Sequence, residues 1–372
     1  MQNLRKITLA IKQDLTKKMV FIGGPRQVGK TTLAKSFSSK EAYLNWDFLE
    51  DRQLILKSQL PTNYKCLILD EIHKYKNWRS LVKGYFDKYR DKFSIIVTGS
   101  ARLDHFRKGG DSLMGRYHYY RLHPFTFDEL SFLSQKRTLD DLLKFGGFPE
   151  PLIAKDEREL KRWHNERVYR VINDDLRDLQ HVKEISQLEL LASVLPSKVG
   201  APLSYKSVAE DLQVSPKTVE SWIDTLSNLY YCYRIPPYGS PKIRAVKKEN
   251  KLYLWDWSQI EVAGFRFENM VASHLLKYCH YHEDYHGEKM ELRFLRDIDK
   301  REIDFVVIKN RKPLFAVECK TGDRHISPWI KYFKERTPIP QFFQVHLGKS
   351  DFGVAEHGRV LPFSTFVNEY LA

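Results

Sequence analysis

The sequence predicts an α/β protein in several parts: a parallel sheet with a phosphate-binding loop in the first third, a helical middle, and a second α/β unit at the end. Three stretches carry that expectation. "MVFIGGPRQVGKTTLAKSF" sets a short apolar run before a glycine-punctuated loop and a helical pattern. "YKCLILDEIHK" is an unbroken apolar run ending in two acids, as a strand buried on both faces requires. "REIDFVVIKNRKPLFAVECK" reads as two strands joined by a short polar turn.

The first stretch contains Gly24, Pro25, Arg26, Gln27, Val28, Gly29, Lys30 and Thr31, followed by Thr32. That is the pattern G-x-x-x-x-G-K-[ST] in a strand, loop and helix context, so these residues are the candidate nucleotide-binding loop. Glycines let the loop wrap closely enough for successive backbone N–H groups to face phosphates. Lys30 is expected to reach the β and γ phosphates, and the Thr31 hydroxyl to ligate Mg²⁺. In the second stretch Asp70 would hold the magnesium through water and Glu71 would polarise the attacking water. A third apolar run, "FSIIVTGSARL", ends in Thr98 and Ser100, at the carboxyl edge where parallel sheets place ligands.

Residues 18–130 thereby resemble an AAA+ ATPase, with Walker A at Gly24 to Thr31, Walker B at Asp70 and Glu71, and sensor 1 near Thr98. "GRYHYYRLHPFTFDEL" and "FGGFPE" further resemble one prokaryotic branch of that superfamily, whose members carry a C-terminal domain of unassigned role. The resemblance spans nearly the whole chain. It implies ATP and Mg²⁺ as ligands, an ATPase domain over residues 1–150, and a possible homo-oligomer. In such proteins an arginine from a neighbouring subunit often stabilises transition-state charge. Arg116 is the first candidate and Arg102 the second, either of which could equally be an ordinary surface arginine. Arg26 could touch phosphate or a partner.

Residues 151–235 read as helical. "LSYKSVAEDLQVSPKTVESWIDTLSNLYYCYRI" gives helix, tight turn, helix and a strand-like tail. Ser215 suits an N-cap and Pro216 the first helical position, with Val219, Trp222, Ile223 and Leu226 at inward spacing. The arrangement resembles a winged helix, which implies either DNA contact or a spacer between domains. The basic run "PKIRAVKKENK" after it could touch phosphate or form a solvated loop.

Residues 236–372 hold the hairpin. Asp304 lies in its first strand, and Glu318 and Lys320 lie one residue apart at the end of the second. An odd-length turn sets Asp304 and Glu318 opposite each other with Cβ atoms about 5 Å apart; an even turn without a bulge sets them on opposite faces. Glu268, at the edge of the apolar stripe of "GFRFENMVASHLLKYC", could lean toward them. Helix Glu, strand Asp and Glu-x-Lys resemble the PD-(D/E)XK nuclease superfamily, with Ile303 in place of the name-giving proline. The resemblance implies a restriction-endonuclease-like α/β fold, Glu268, Asp304 and Glu318 as ligands of Mg²⁺ or Mn²⁺, and Lys320 as a catalytic residue.

Composition frames the partners. With 61 Lys and Arg against 47 Asp and Glu, the chain carries a net charge of +14, which favours a polyanion partner or else is a generally solubilising surface. Together with the winged-helix and nuclease resemblances, it makes nucleic acid, DNA favoured, the expected partner. Cys66, Cys232, Cys279 and Cys319 show no paired spacing, pointing to a reducing, cytoplasmic setting. The amphipathic N-terminus has no apolar segment of the secretory kind, and no run suits a membrane span.

Overall fold

The computed structural model describes residues 5–38, 42–61, 63–99, 113–176, 185–239, 249–323 and 325–372. Ser100, Arg102 and most of the basic run after residue 240 lie outside the described residues. The chain forms two compact units. One is Met1–Pro124 with Ser131–Ser134 and Asn228–Tyr230; the other is Phe125–Leu130, Gln135–Ser227 and Tyr231–Ala372.

The first unit opens with helix α1 (Thr8–Asp14) and strand β1 (Met19–Gly23), followed by α2 (Lys30–Lys35), β2 (Tyr43–Asn45), α3 (Leu49–Leu56) and β3 (Cys66–Asp70). Helix α4 (Trp78–Tyr89) and strands β4 (Ser94–Thr98) and β5 (Tyr117–Arg121) complete it. The five strands are all parallel, in the order β2-β3-β4-β1-β5. Every residue of β1 and β3 is buried, which is why both read as continuous apolar runs. Phe21, Leu67, Leu69, Ile95 and Val97 pack with Trp78, Val82 and Tyr85 of α4 in one core. In register, Ile22 and Asp70 both pair with Thr98, so the carboxyl ends of β1, β3 and β4 meet at one edge.

The second unit begins with helices α5 (Leu139–Phe145), α6 (Pro149–Ala154), α7 (Glu157–Leu176) and α8 (Ile185–Val194). Thr138 and Asp141 close α5 with a reciprocal capping box. Then come α9 (Tyr205–Leu212), α10 (Pro216–Asn228) and an antiparallel pair, β6 (Cys232–Ile235) with β7 (Lys251–Leu254). Ser215 Oγ accepts the Thr218 N–H at 3.1 Å, and Val219, Trp222, Ile223 and Leu226 form the buried stripe of α10, as their spacing predicts. The helix, turn, helix and strand order matches the reading of this stretch.

A long helix, α11 (Ala263–His286), precedes a six-stranded mixed sheet. Its strands are β8 (Met290–Arg296), β9 (Glu302–Lys309), β10 (Lys312–Cys319), β11 (Phe342–His346), β12 (Phe352–Val354) and β13 (Gly358–Pro362), in the order β12-β13-β11-β10-β9-β8. Helix α12 (Pro328–Lys334) connects β10 to its parallel neighbour β11 and buries Ile330 and Phe333 against Val306, Ile308 and Ala316. No helix among the described residues is long and apolar enough to cross a membrane.

The β9–β10 register resolves the question of faces. The turn is even, two residues long, with Asn310 and Arg311 both at positive φ (51° and 68°). A bulge between Pro313 and Phe315 then shifts the pairing by one residue. Val317 therefore pairs with Phe305, and one step further sets Glu318 opposite Asp304. The bulge restores what the even turn alone would have undone.

Candidate functional site

The phosphate loop joins β1 to α2. Gly24 has φ +135°, and a Cβ there would lie 2.4 Å from Leu122 O, so the chain can pass only without a side chain. Gly29, at φ 98°, turns the chain into α2. Lys30 is buried and folds back over the loop, its Nζ donating to Gly24 O at 2.9 Å and Pro25 O at 2.7 Å. Val28 is buried and its carbonyl accepts from the Arg5 guanidinium at 3.1 Å. The same guanidinium donates to His123 O. Pro25 is also buried, Arg26 and Gln27 are half-buried, and Thr32 is exposed.

Asp70 sits at the carboxyl end of β3 with three hydroxyls on its carboxylate. Thr31 Oγ1 and Tyr43 OH each donate to Oδ2 at 2.8 Å, and Thr98 Oγ1 donates to Oδ1 at 2.5 Å. The phosphate-loop threonine, the acid of β3 and the threonine of β4 therefore form one connected group. Burial, followed by the Asp70 charge, raises the Tyr43 phenol above its ordinary value. Next to Asp70, Glu71 adopts the left-handed conformation (φ 55°). Its Oε2 is buried without a hydrogen bond, 3.6 Å from both Lys74 Nζ and His73 Nε2. Burial pushes the Glu71 carboxyl up, against the pull of Lys74.

These are hard oxygen donors beside an ammonium group, a set that suits a magnesium-bound polyphosphate. Arg116 is not part of it. It precedes β5 at the amino edge of the sheet, its carbonyl accepting from Met19 N, and its guanidinium grips Asp87 of α4 through two bonds of 2.8 and 3.2 Å.

A second group lies where β9 begins and β10 ends. Glu268, Asp304 and Glu318 are all buried, and so is Lys251, the first residue of β7, with no exposure at all. Lys251 Nζ lies 3.2 Å from Glu268 Oε1 and 3.4 Å from Asp304 Oδ1, and is bonded to Glu302 Oε1. Tyr253 OH donates to Glu268 Oε1 at 2.7 Å, and Cys319 N to Asp304 Oδ2 at 2.8 Å. Lys320 is exposed and pairs with Glu318 Oε1 at 2.6 Å, while Glu318 Oε2 is buried with no hydrogen-bond partner. Burial and then the Asp304 charge push Glu268 up to about 7 and Glu318 up to about 8, against the pull of Lys251 and of Lys320 respectively. Burial alone would drive the Lys251 ammonium down; Glu268, Asp304 and Glu302 together hold it above the usual lysine value.

The structure thus gathers Glu268, Asp304, Glu318 and Lys320, but with Lys251 between the acids. Among the described residues no group of three or more His, Cys, Asp or Glu is arranged to hold a metal ion. That holds equally for Cys279, His280, His282 and His286; His282 Nδ1 instead contacts Glu288 Oε2 at 2.7 Å. Sequence reasoning missed Arg5, Tyr43, Lys251, Tyr253 and Glu302. Only Glu302 left a signal: two residues before Asp304, it shares that residue's strand face.

Comparison with known proteins bears on both units. Residues 16–131 match the family model of an AAA domain. Residues 136–261 and 263–366 match two domains of unknown function, DUF8612 and DUF4143. Two uncharacterized proteins of Methanocaldococcus jannaschii are similar along most of the chain. One is 25% identical, covering 89% of this chain and 82% of its own, and the other 24% identical, covering 88% and 80%. An uncharacterized protein of Mycobacterium tuberculosis is 21% identical over 64% of this chain and 54% of its own. Among solved structures, the Walker-type ATPase of Pyrococcus abyssi aligns at 12% identity with a TM-score of 0.39, covering 69% of this chain and 94% of that one. The Orc1 protein of Aeropyrum pernix, solved in complex with DNA, aligns at 14% and 0.31, covering 68% and 88%. Scores this low carry no argument about the whole chain. The family match and the parallel sheet with its phosphate loop make residues 16–131 an AAA domain of the P-loop kind.

Proposed function

We propose that the protein is a Mg²⁺-dependent ATPase whose first unit binds and hydrolyses ATP, and whose second unit is the module that the ATP cycle controls. The observation that carries this reading is the hydrogen-bonded group of Thr31, Asp70 and Thr98, with Lys30 and Glu71 next to Thr31 and Asp70 in the chain. Lys30 now satisfies its ammonium with two loop carbonyls, and exchanges them for phosphate oxygens when nucleotide enters. Thr31 and Asp70, already 2.8 Å apart, would hold the magnesium. When bound, the metal would supply charge neutralisation to the phosphates. Thr98 fixes the Asp70 carboxylate and, as the residue matching sensor 1, would report the γ phosphate. Glu71, with one oxygen unpaired, orients the attacking water and takes up its proton. Arg116 of a second copy is the candidate for transition-state charge.

The net charge of +14 supports nucleic acid, DNA in particular, as the macromolecular partner. For the second unit the nuclease resemblance allows two roles, metal-dependent cleavage through Glu268, Asp304, Glu318 and Lys320, or binding without cleavage. Lys251 among the acids favours the second. The test combines phosphate release from ATP, with and without DNA, and plasmid integrity in Mg²⁺ or Mn²⁺. DNA-stimulated hydrolysis with intact plasmid supports the binding module. Cleavage that Lys320→Ala abolishes establishes a nuclease, and hydrolysis indifferent to DNA removes nucleic acid as the partner.

A further inference from the structure

We infer that Lys251 is the built-in cation of the acid cluster, standing where the nuclease resemblance would place a divalent ion, so that the cluster takes no metal while Lys251 remains. The inference deepens the reading of the second unit as a binding module and rests on it.

Three carboxylates from two elements converge on one nitrogen. Glu268 comes from α11, Glu302 and Asp304 from β9, and the ammonium from the first residue of β7. This is the ligand arrangement of a cation site with a side chain as its cation. A divalent ion shared by Glu268 and Asp304 needs their oxygens at about 2.0–2.6 Å. Glu268 Oε1 and Asp304 Oδ1 instead lie 3.2 and 3.4 Å from Lys251 Nζ, so an ion between them would occupy the space of the ammonium. The two positive charges would also repel at close range in a buried setting, where solvent screens little.

The neighbours reinforce the exclusion. Glu268 Oε1 already accepts from Tyr253, two residues beyond Lys251 on the same strand. Asp304 Oδ2 accepts the backbone N–H of Cys319, and Glu318 Oε1 pairs with Lys320. The lysine cannot leave easily, since its side chain is fully buried and an unpaired ammonium there would be strongly disfavoured. Equally, the acids without Lys251 would be an uncompensated cluster. Lysine and acids therefore require each other, which accounts for the cluster without cleavage. The opening that remains is the unpaired Glu318 Oε2, and one carboxylate oxygen is a weak ligand set for a hard divalent ion.

The test is Mn²⁺ binding to the full chain, followed by the electron paramagnetic resonance signal of free Mn²⁺. All proteins carry Asp70→Asn and are free of nucleotide, which silences the first unit. The parent is expected to bind no Mn²⁺ in the submillimolar range. Adding Lys251→Met, which keeps the shape and removes the charge, is expected to create one Mn²⁺ site, with affinity raised at least about tenfold and a melting temperature that rises with Mn²⁺. Mn²⁺ binding by the parent that Asp304→Asn or Glu318→Gln abolishes would overturn the inference, as would a folded Lys251→Met variant that gains no site. Should that variant not fold, the parent and its Asp304→Asn form decide the matter alone. Such Mn²⁺ binding by the parent without plasmid cleavage would sink this inference and leave the binding-module reading intact; cleavage by the parent would end that reading as well.

Discussion

Replacing Glu71 with glutamine separates folding from chemistry more cleanly than any other change at the nucleotide site. Glutamine matches the shape of glutamate. Because Glu71 Oε2 accepts no hydrogen bond, the substitution breaks none there and removes charge interactions, among them those with Lys74 and His73 at 3.6 Å. The Lys74 contact is partly exposed and contributes less than about 1 kcal/mol, and no hydrogen bond to Oε2 is lost, so Glu71→Gln should unfold within a few degrees of wild type. ATP turnover should fall by about 10²–10⁴, the usual contribution of a positioned base, or about 3–5 kcal/mol of barrier. Nucleotide affinity should stay within a few-fold, since Lys30, Thr31 and Asp70 remain. The raised pKa adds a second signature. Glu71 must be ionised to act, and burial holds its carboxyl above the ordinary glutamate value, so wild-type turnover should decline as pH falls through that raised value. The residual activity of the glutamine variant should lack this limb. Phosphate release across pH, together with fluorescent-nucleotide binding, measures both. Wild-type turnover in Glu71→Gln, or an acid limb unchanged by it, would refute the assignment.

Three further outcomes follow from the geometry. Gly24→Ala sets a Cβ 2.4 Å from Leu122 O at φ +135°, so it should destabilise the first unit by about 2–4 kcal/mol and abolish ATP binding, checked by thermal melts with and without nucleotide. His274 is held neutral: its Nδ1 bonds Met270 O at 2.7 Å, its Nε2 accepts from Phe127 N at 2.9 Å, and burial lowers its pKa from 6.5 to about 4. Its contribution to the second unit should be complete above pH 6.5 and lost as pH falls toward 4, on the order of 3 kcal/mol; urea midpoints of wild type and His274→Phe at pH 7 and 4.5 should diverge accordingly. Arg5→Ala frees the carbonyl of Val28 from its guanidinium, and should weaken ATP affinity several-fold without lowering saturated turnover, read from a titration of turnover against ATP.

What the sequence revealed depended on how local each feature is. The phosphate loop is written within eight consecutive residues, and β1 and β3 announce themselves because both their faces are buried. The site on β3 was readable for the same reason, since Asp70 and Glu71 simply end an apolar run. Contacts made across the chain were not. Tyr43 reaches Asp70 from a three-residue strand, and Arg5 reaches Val28 from ahead of the first helix. The register of Asp304 and Glu318 hinged on a bulge at Leu314, which no residue type dictates. Lys251 closes a run that reads as a basic loop, yet the strand it opens buries it among acids, the nearest in sequence being 17 residues away. Opposite charges brought together from distant segments leave no periodic trace.

Calorimetric titration of ATP in Mg²⁺ into the protein tests the central claim most directly. The account predicts a single saturable site in the wild type and its loss in Lys30→Ala, which removes the ammonium expected to bridge loop and phosphate. No binding heat in the wild type, or equal affinity in both proteins, would contradict it.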